Sequence, residues 1–162
     1  MSSTTSGPSA SVTGSPSPTP PPLQEAEAHA LAAVLAAEQA AVYAYGVVGG
    51  QASERQAAVA LRDLQRHAAR RDLVAGRLSA AGRAPAPAAA GYALPFPVDS
   101  PTTAAALAVH VEQAVAATNA ALVASAAPVR RLEPARWLAE NALAARRWGG
   151  EPTAFPGLPE RA

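Results

Sequence analysis

Apolar positions along this chain fall into two long stretches, at residues 31–48 and 107–123, and each is broken by the same phrase. Glu38-Gln39-Ala40 interrupts the first and Glu112-Gln113-Ala114 the second. An ionised carboxylate avoids apolar surroundings unless a partner neutralises it. The repetition therefore predicts two equivalent helices that aim acidic groups at a shared interior.

The spacing extends this to four helices. Leu31, Leu35, Glu38, Val42 and Tyr45 recur at steps of three and four and predict a helix from about Gln24 to Val48, closed by Gly49-Gly50. A second helix begins at Ser53-Glu54, an N-cap followed by an acidic first turn. It is expected to present Leu61, Leu64, His67, Arg71, Val74 and Leu78 on one face and to stop at Gly82. So short a connection makes the two helices antiparallel neighbours. Residues 83–99 hold Pro85, Pro87, Pro95 and Pro97 and exclude a helix. Extended at ~3.1 Å per residue, that segment can return along a whole bundle, pinned by Tyr92, Leu94, Phe96 and Val98. Ser100-Pro101 opens a third helix reaching about Ala126, and Pro128 breaks it. A short fourth helix, anchored by Trp137 and Trp148, runs from about Leu132 to Gly149-Gly150, and an irregular tail is expected to fold back on it. Short turn, long crossover, short turn is the connectivity of a ferritin-like bundle rather than of a simple up-and-down one. The expected fold is all-α, with one long crossover between helices 2 and 3.

Composition agrees. The 162 residues suffice for one domain with a core, and 49% are hydrophobic, dominated by alanine, the best helix former. Residues 1–22 are Ser, Thr, Gly and Pro with little to bury, and read as a disordered tail before a helical domain at 23–162. A net charge of +1 gives no reason to expect nucleic acid or an anionic membrane as a partner. The absence of cysteine excludes disulfides, thiolate metal sites and cysteine nucleophiles. No window of about 18 residues is both apolar and free of charge, so no membrane span is expected. With no basic, apolar leader at the N-terminus, a cytoplasmic location is the expectation. All 13 basic residues are arginine, which a GC-rich coding bias explains.

A second similarity links helices two and four. Residues 64–71 (LQRHAARR) resemble 140–147 (ENALAARR) at an offset of about 76, against about 74 for the Glu-Gln-Ala phrases. Together with 37–46, 67–72, Gly91-Tyr92-Ala93-Leu94-Pro95 and Phe155-Pro156-Gly157-Leu158-Pro159, these segments resemble the ferritin-like superfamily. More narrowly, residues 28–159 are similar to an alanine-rich, actinobacterial ferritin-like family known only as a domain of unknown function. The resemblance implies a centre built from one Glu on each of two helices and a Glu-x-x-His on each of the other two. Glu38 and Glu112 match the single glutamates; Leu64-x-x-His67 keeps only the histidine, and Glu140-x-x-Leu143 only the glutamate.

Three readings follow. Two metals about 3.5–4 Å apart need bridging carboxylates, and the missing ones argue against a di-iron or di-manganese oxidase. A single iron or manganese ion on Glu38, His67, Glu112 and Glu140 is the second reading, that of a metal-binding oxidoreductase or metal-handling protein. The favoured one has no cofactor: Arg71 and Arg147 neutralise Glu38, Glu112 and Glu140, leaving a degenerate centre in a non-catalytic structural or interaction bundle, dimeric through Ala-rich helix faces. His29 and His110 are expected at the surface, as is Asp63, and Tyr43 and Tyr45 are expected to serve packing.

Overall fold

The computed structural model describes residues 22–158; the expectation of a disordered N-terminal tail falls, Pro22 apart, outside them. Four helices and one 3₁₀ turn make up its regular structure: α1 (Glu25–Gln51), α2 (Glu54–Ala80), α3 (Pro101–Ser125), the turn Pro128–Arg130, and α4 (Leu132–Arg147). No strand occurs among the described residues.

The helix boundaries follow local chemistry. Before α2, the Ser53 N–H and hydroxyl both donate to Gln56 Oε1. Ser100 caps α3 by accepting from Thr103 N–H while Thr103 Oγ1 accepts from Ser100 N–H, so two orphan donors are satisfied reciprocally. Gly82 ends α2 at φ +71°, a conformation that lets Arg83 N–H reach back to Leu78 O. One expectation fails here. Gly49-Gly50 does not stop α1, which runs on to Gln51 with both glycines helical. Neither has a positive φ, so nothing in the backbone makes them a cap.

Two apolar clusters give the helix directions. At one end Val48 of α1, Ala60 of α2, Ala104 of α3 and Trp148 pack together under Leu94, Phe96 and Val98. At the other, Leu31, Val74, Leu78, Leu122, Ala126 and Trp137 meet. The helices therefore run up, down, down and up. The segment 83–99 carries the chain over about 40 Å from the end of α2 to the start of α3. It is fastened on the way: Gln39 Nε2 donates to Ala86 O, and Tyr92 packs on Tyr43 with ring centroids 5.6 Å apart. Beyond α4 the tail lies against α3, where Gly157, at φ +79°, sits so close that a Cβ would fall 2.7 Å from Ala116 O.

α1 packs on α2 and α3, and α3 on α4, but no Cα of α2 comes within 8 Å of one in α4. Long side chains close that seam: Arg77 pairs with Glu133, and Arg70 and Arg77 lie over the Trp137 ring at 5.1 and 5.6 Å. At one end of the bundle Arg130 clamps the buried Glu27 through two parallel bonds.

Burial also corrects the repeat. Buried positions coincide at a uniform offset of 74 in both helix pairs: 34 and 108, 38 and 112, 41 and 115, 45 and 119, 48 and 122 in α1 and α3, then 60 and 134, 63 and 137, 67 and 141, 70 and 144, 74 and 148. The offset of about 76 compared side chains on other faces, since Leu143 is exposed and Glu140 stands at the rim. By length and composition alone α1 and α3 would suffice to cross a membrane; in the bundle each turns its carboxylate to the interior.

Candidate functional site

Between the two apolar clusters lies a polar layer. Glu38, His67, Glu112, Asn119 and Asn141 are fully buried there, with Arg70 nearly so. His67 is the centre: its Nδ1 lies 2.6 Å from Glu38 Oε2 and its Nε2 3.2 Å from Glu112 Oε1. Tyr45 stacks on the imidazole, with centroids 5.2 Å apart, and its hydroxyl donates to Glu112 Oε1 over 2.6 Å. Arg66 Nη2 donates to the same oxygen, and Asn141 Nδ2 to Oε2. Arg70 spreads across three groups, donating to Glu38 (3.3 Å), Asn141 Oδ1 (3.0 Å) and Glu140 (2.7 Å).

Three of the four candidate ligands thus converge, and the fourth does not. Glu140 keeps its side chain half in solvent and meets the layer only through Arg70. The neutralising arginines are also different ones. Arg71 bonds its neighbour Asp72 at the surface, and Arg147 reaches Asp63 at 3.1 Å, away from Glu38 and Glu112. Arg66 and Arg70 take the glutamates because positions 63, 67, 70 and 74 form the inward line of α2, and Arg66, beside His67, folds its long stem inward. Asp63, expected in solvent, is buried and accepts from Arg66 (2.6 Å), Arg147 and the Trp148 indole (2.9 Å). Leu61, expected inside, is 57% exposed. His29 and His110 lie at the surface, as expected.

Sequence reasoning missed Arg66, Arg70, Asn119 and Asn141. A signal for Asn141 existed: carrying the 74-residue offset of Glu38 and Glu112 over to His67 lands on it.

The electrostatics follow from these contacts. Burial alone would raise the Glu112 carboxyl, but the hydrogen bonds and charges of His67 and Arg66, with the Tyr45 hydroxyl, outweigh it and hold the group at about 2. His67 is raised: burial opposes its charged form, and hydrogen bonds to Glu112 and Glu38 overcome that. Burial and the Glu112 charge push the Tyr45 phenol far above its usual range. With His67 protonated, the carboxylates of Glu38, Glu112, Asp63 and Glu140 face four cations, His67, Arg66, Arg70 and Arg147. Two buried polar atoms here, Asn119 Oδ1 and Arg66 Nε, have no hydrogen-bond partner among the described residues.

This donor set does not suit a metal. Both ring nitrogens of His67 face carboxylate oxygens, with Arg66 Nη2 also 3.3 Å from Nε2, and every oxygen of Glu38 and Glu112 already accepts a hydrogen bond. Among the described residues no three His, Asp or Glu are grouped to hold an ion. A cavity of about 320 Å³ between α3, α4 and the tail, lined by Ala116, Leu143 and Phe155, reaches Glu112 and Asn141, whose side-chain polar atoms are already engaged.

Residues 30–160 match the family described as a domain of unknown function, DUF4439. The chain belongs to the DUF4439 family. A solved structure is similar to it: the crystal structure of a conserved hypothetical protein, rv2844, from Mycobacterium tuberculosis, 38% identical with a TM-score of 0.73 over 76% of this chain and 94% of that one. No curated protein matches this DUF4439 chain.

Proposed function

We propose that this DUF4439 domain is a ferritin-like bundle whose metal positions have been taken over by a metal-free ionic network, and that it serves as a non-catalytic structural or interaction module. The observation that carries this reading is the placement of His67 between Glu38 and Glu112, with arginine and asparagine donors filling the remaining acceptor sites. The 74-residue register supports it. If the inward Glu-x-x-His positions are 67 and 70 on α2 and 141 and 144 on α4, this chain has His67-x-x-Arg70 and Asn141-x-x-Ala144 there. Both motifs are then replaced entirely. Cations stand where the first would bind metal, and an amide and a methyl where the second would.

The rival reading, an iron or manganese protein of metal-handling or oxidoreductase type, draws on the convergence of Glu38, His67 and Glu112. It requires Arg66 to leave Glu112 and the imidazole to turn a lone pair away from its carboxylates. Titration of the chain with Fe(II), Mn(II) and Zn(II) separates the two. No stoichiometric binding is expected, and stoichiometric binding abolished by Glu112→Gln would overturn the metal-free reading. Restoring His67→Glu, Arg70→His, Asn141→Glu and Ala144→His together is expected to create a site for two ions. A folded quadruple variant that binds none would sink the register.

A further inference from the structure

Among the described residues, nothing covers the face of α2 directly opposite His67. Ala58, Arg62, Gln65, Ala69, Asp72 and Gly76 recur along it at alternating steps of four and three, all exposed. Leu61 and Leu73 flank this line, 57% and 44% exposed. Steps of four and three keep these residues on one stripe, and the two flanking leucines give it apolar edges. Gly76 sharpens the point. A glycine inside a helix is the least favourable residue after proline, and a Cβ here would meet nothing within 4 Å, so no packing among the described residues calls for it. A backbone approached closely from outside would.

The line is self-complementary. A two-fold axis crossing α2 at the level of His67 runs the α2 of a second copy antiparallel to the first. It sets Ala58 level with Gly76 of that copy, Leu61 and Arg62 level with its Leu73 and Asp72, and Gln65 level with its Ala69. Small residues then meet at both ends, and each intermediate layer holds two leucines and an arginine–aspartate pair. Arg62 is available for that pair: its side chain is 61% exposed and among the described residues it only brushes Asp63, at 4.0 Å, whose oxygens Arg66, Arg147 and Trp148 already occupy. Asp72 is 70% exposed, and its pair with Arg71 is made through Oδ1.

We infer that the domain self-associates as a two-fold dimer through antiparallel α2 helices, with Arg62 of each copy engaging Asp72 of the other. The inference goes beyond the reading of the core and does not depend on it. One helix pair buries less than the roughly 1,200 Å² of a stable interface, so the dimer is expected to dissociate on dilution.

Sedimentation velocity across the micromolar range tests this. A shift from monomer to dimer with concentration is expected. Leu61→Glu with Leu73→Glu should keep the chain monomeric with unchanged helicity. Gly76→Leu should weaken association by more than about tenfold while the melting temperature of the dilute monomer holds or rises. Arg62→Asp alone should weaken the dimer, and Arg62→Asp with Asp72→Arg in one chain should restore it. A monomer at every concentration, a dimer indifferent to Gly76→Leu and to the leucine substitutions, or a double reversal that fails to restore association overturns the proposal.

Discussion

The two helix pairs bury the same positions and fill them with different chemistry. In the first pair the inward line of α2 reads Asp63, His67, Arg70, and α1 adds Glu38 and Tyr45. At the equivalent places the second pair has Trp137, Asn141, Ala144 on α4, and Glu112 and Asn119 on α3. Only the glutamate is common to both. The first half carries the cations that meet the glutamates, and the inward positions of the second supply an indole, two amides and a methyl. A charged layer in an apolar bundle therefore need not be symmetric, provided that each carboxylate finds its donors across the interface. Glu112 shows this most plainly, since three of its four donors, Tyr45, Arg66 and His67, come from the other half.

That asymmetry makes Glu112 the position where the comparison breaks most easily. Glu112→Ala takes one partner from a guanidinium, an imidazolium, a phenol and an amide at once, leaving Arg66 on Asp63 and His67 on Glu38. Removing one partner of a buried ionic group costs about 3–5 kcal/mol. Urea unfolding should show a loss of that size. A loss below about 1 kcal/mol would mean that the second half does not depend on the first for its charge balance. Arg70→Ala comes next. It removes donors to Glu38, Asn141 and Glu140, yet the half-exposed Glu140 can recover water, so about 2–3 kcal/mol is expected from the same measurement.

The acid and alkaline limbs of the stability profile sharpen the contrast by separating the halves. Glu112 is held at about 2 when folded against 4.5 when free, so its contribution is present above 4.5 and is lost as pH falls toward 2. His67 moves the other way. Raised above 6.5, it stabilises the fold fully below that value and loses the effect as pH climbs through its folded value. Thermal melts should therefore peak between about 4.5 and 6.5. Glu112→Gln should flatten the acid limb and His67→Gln the alkaline one. An alkaline limb unchanged in His67→Gln would show that the first half does not hold a protonated imidazole.

How much of this could be read in the sequence depends on what kind of signal carried it. Helix positions were legible because Pro85 to Pro97, Ser53, Ser100 and Gly82 act through local backbone chemistry. Glu38 and Glu112 were legible because a lone carboxylate stands out in an alanine-rich stretch. The rest of the layer was hidden by a sound rule applied to the wrong helix. Apolar residues normally mark the buried face, which favoured Leu61 and Leu64 over Asp63 and Arg70 on α2. Here the interior is ionic, so polar residues hold the inward line and Leu61 is left outside. Alanine compounded the error, since residues 64–71 and 140–147 look alike at an offset that does not match their burial.

The smallest expected effect separates adjacent arginines. Arg70 and Arg71 differ by one position, or about 100° around α2. Arg71 meets only the exposed Asp72, an ion pair that water and salt screen. Arg71→Ala should therefore change stability by no more than about 0.5 kcal/mol, against several times that for Arg70→Ala. Because both substitutions remove the same charge from the same helix, any general effect of net charge or helix propensity cancels between them. Equal losses at the two positions would mean that the inward line of α2 is rotated from the one described, and with it the 74-residue correspondence between the halves.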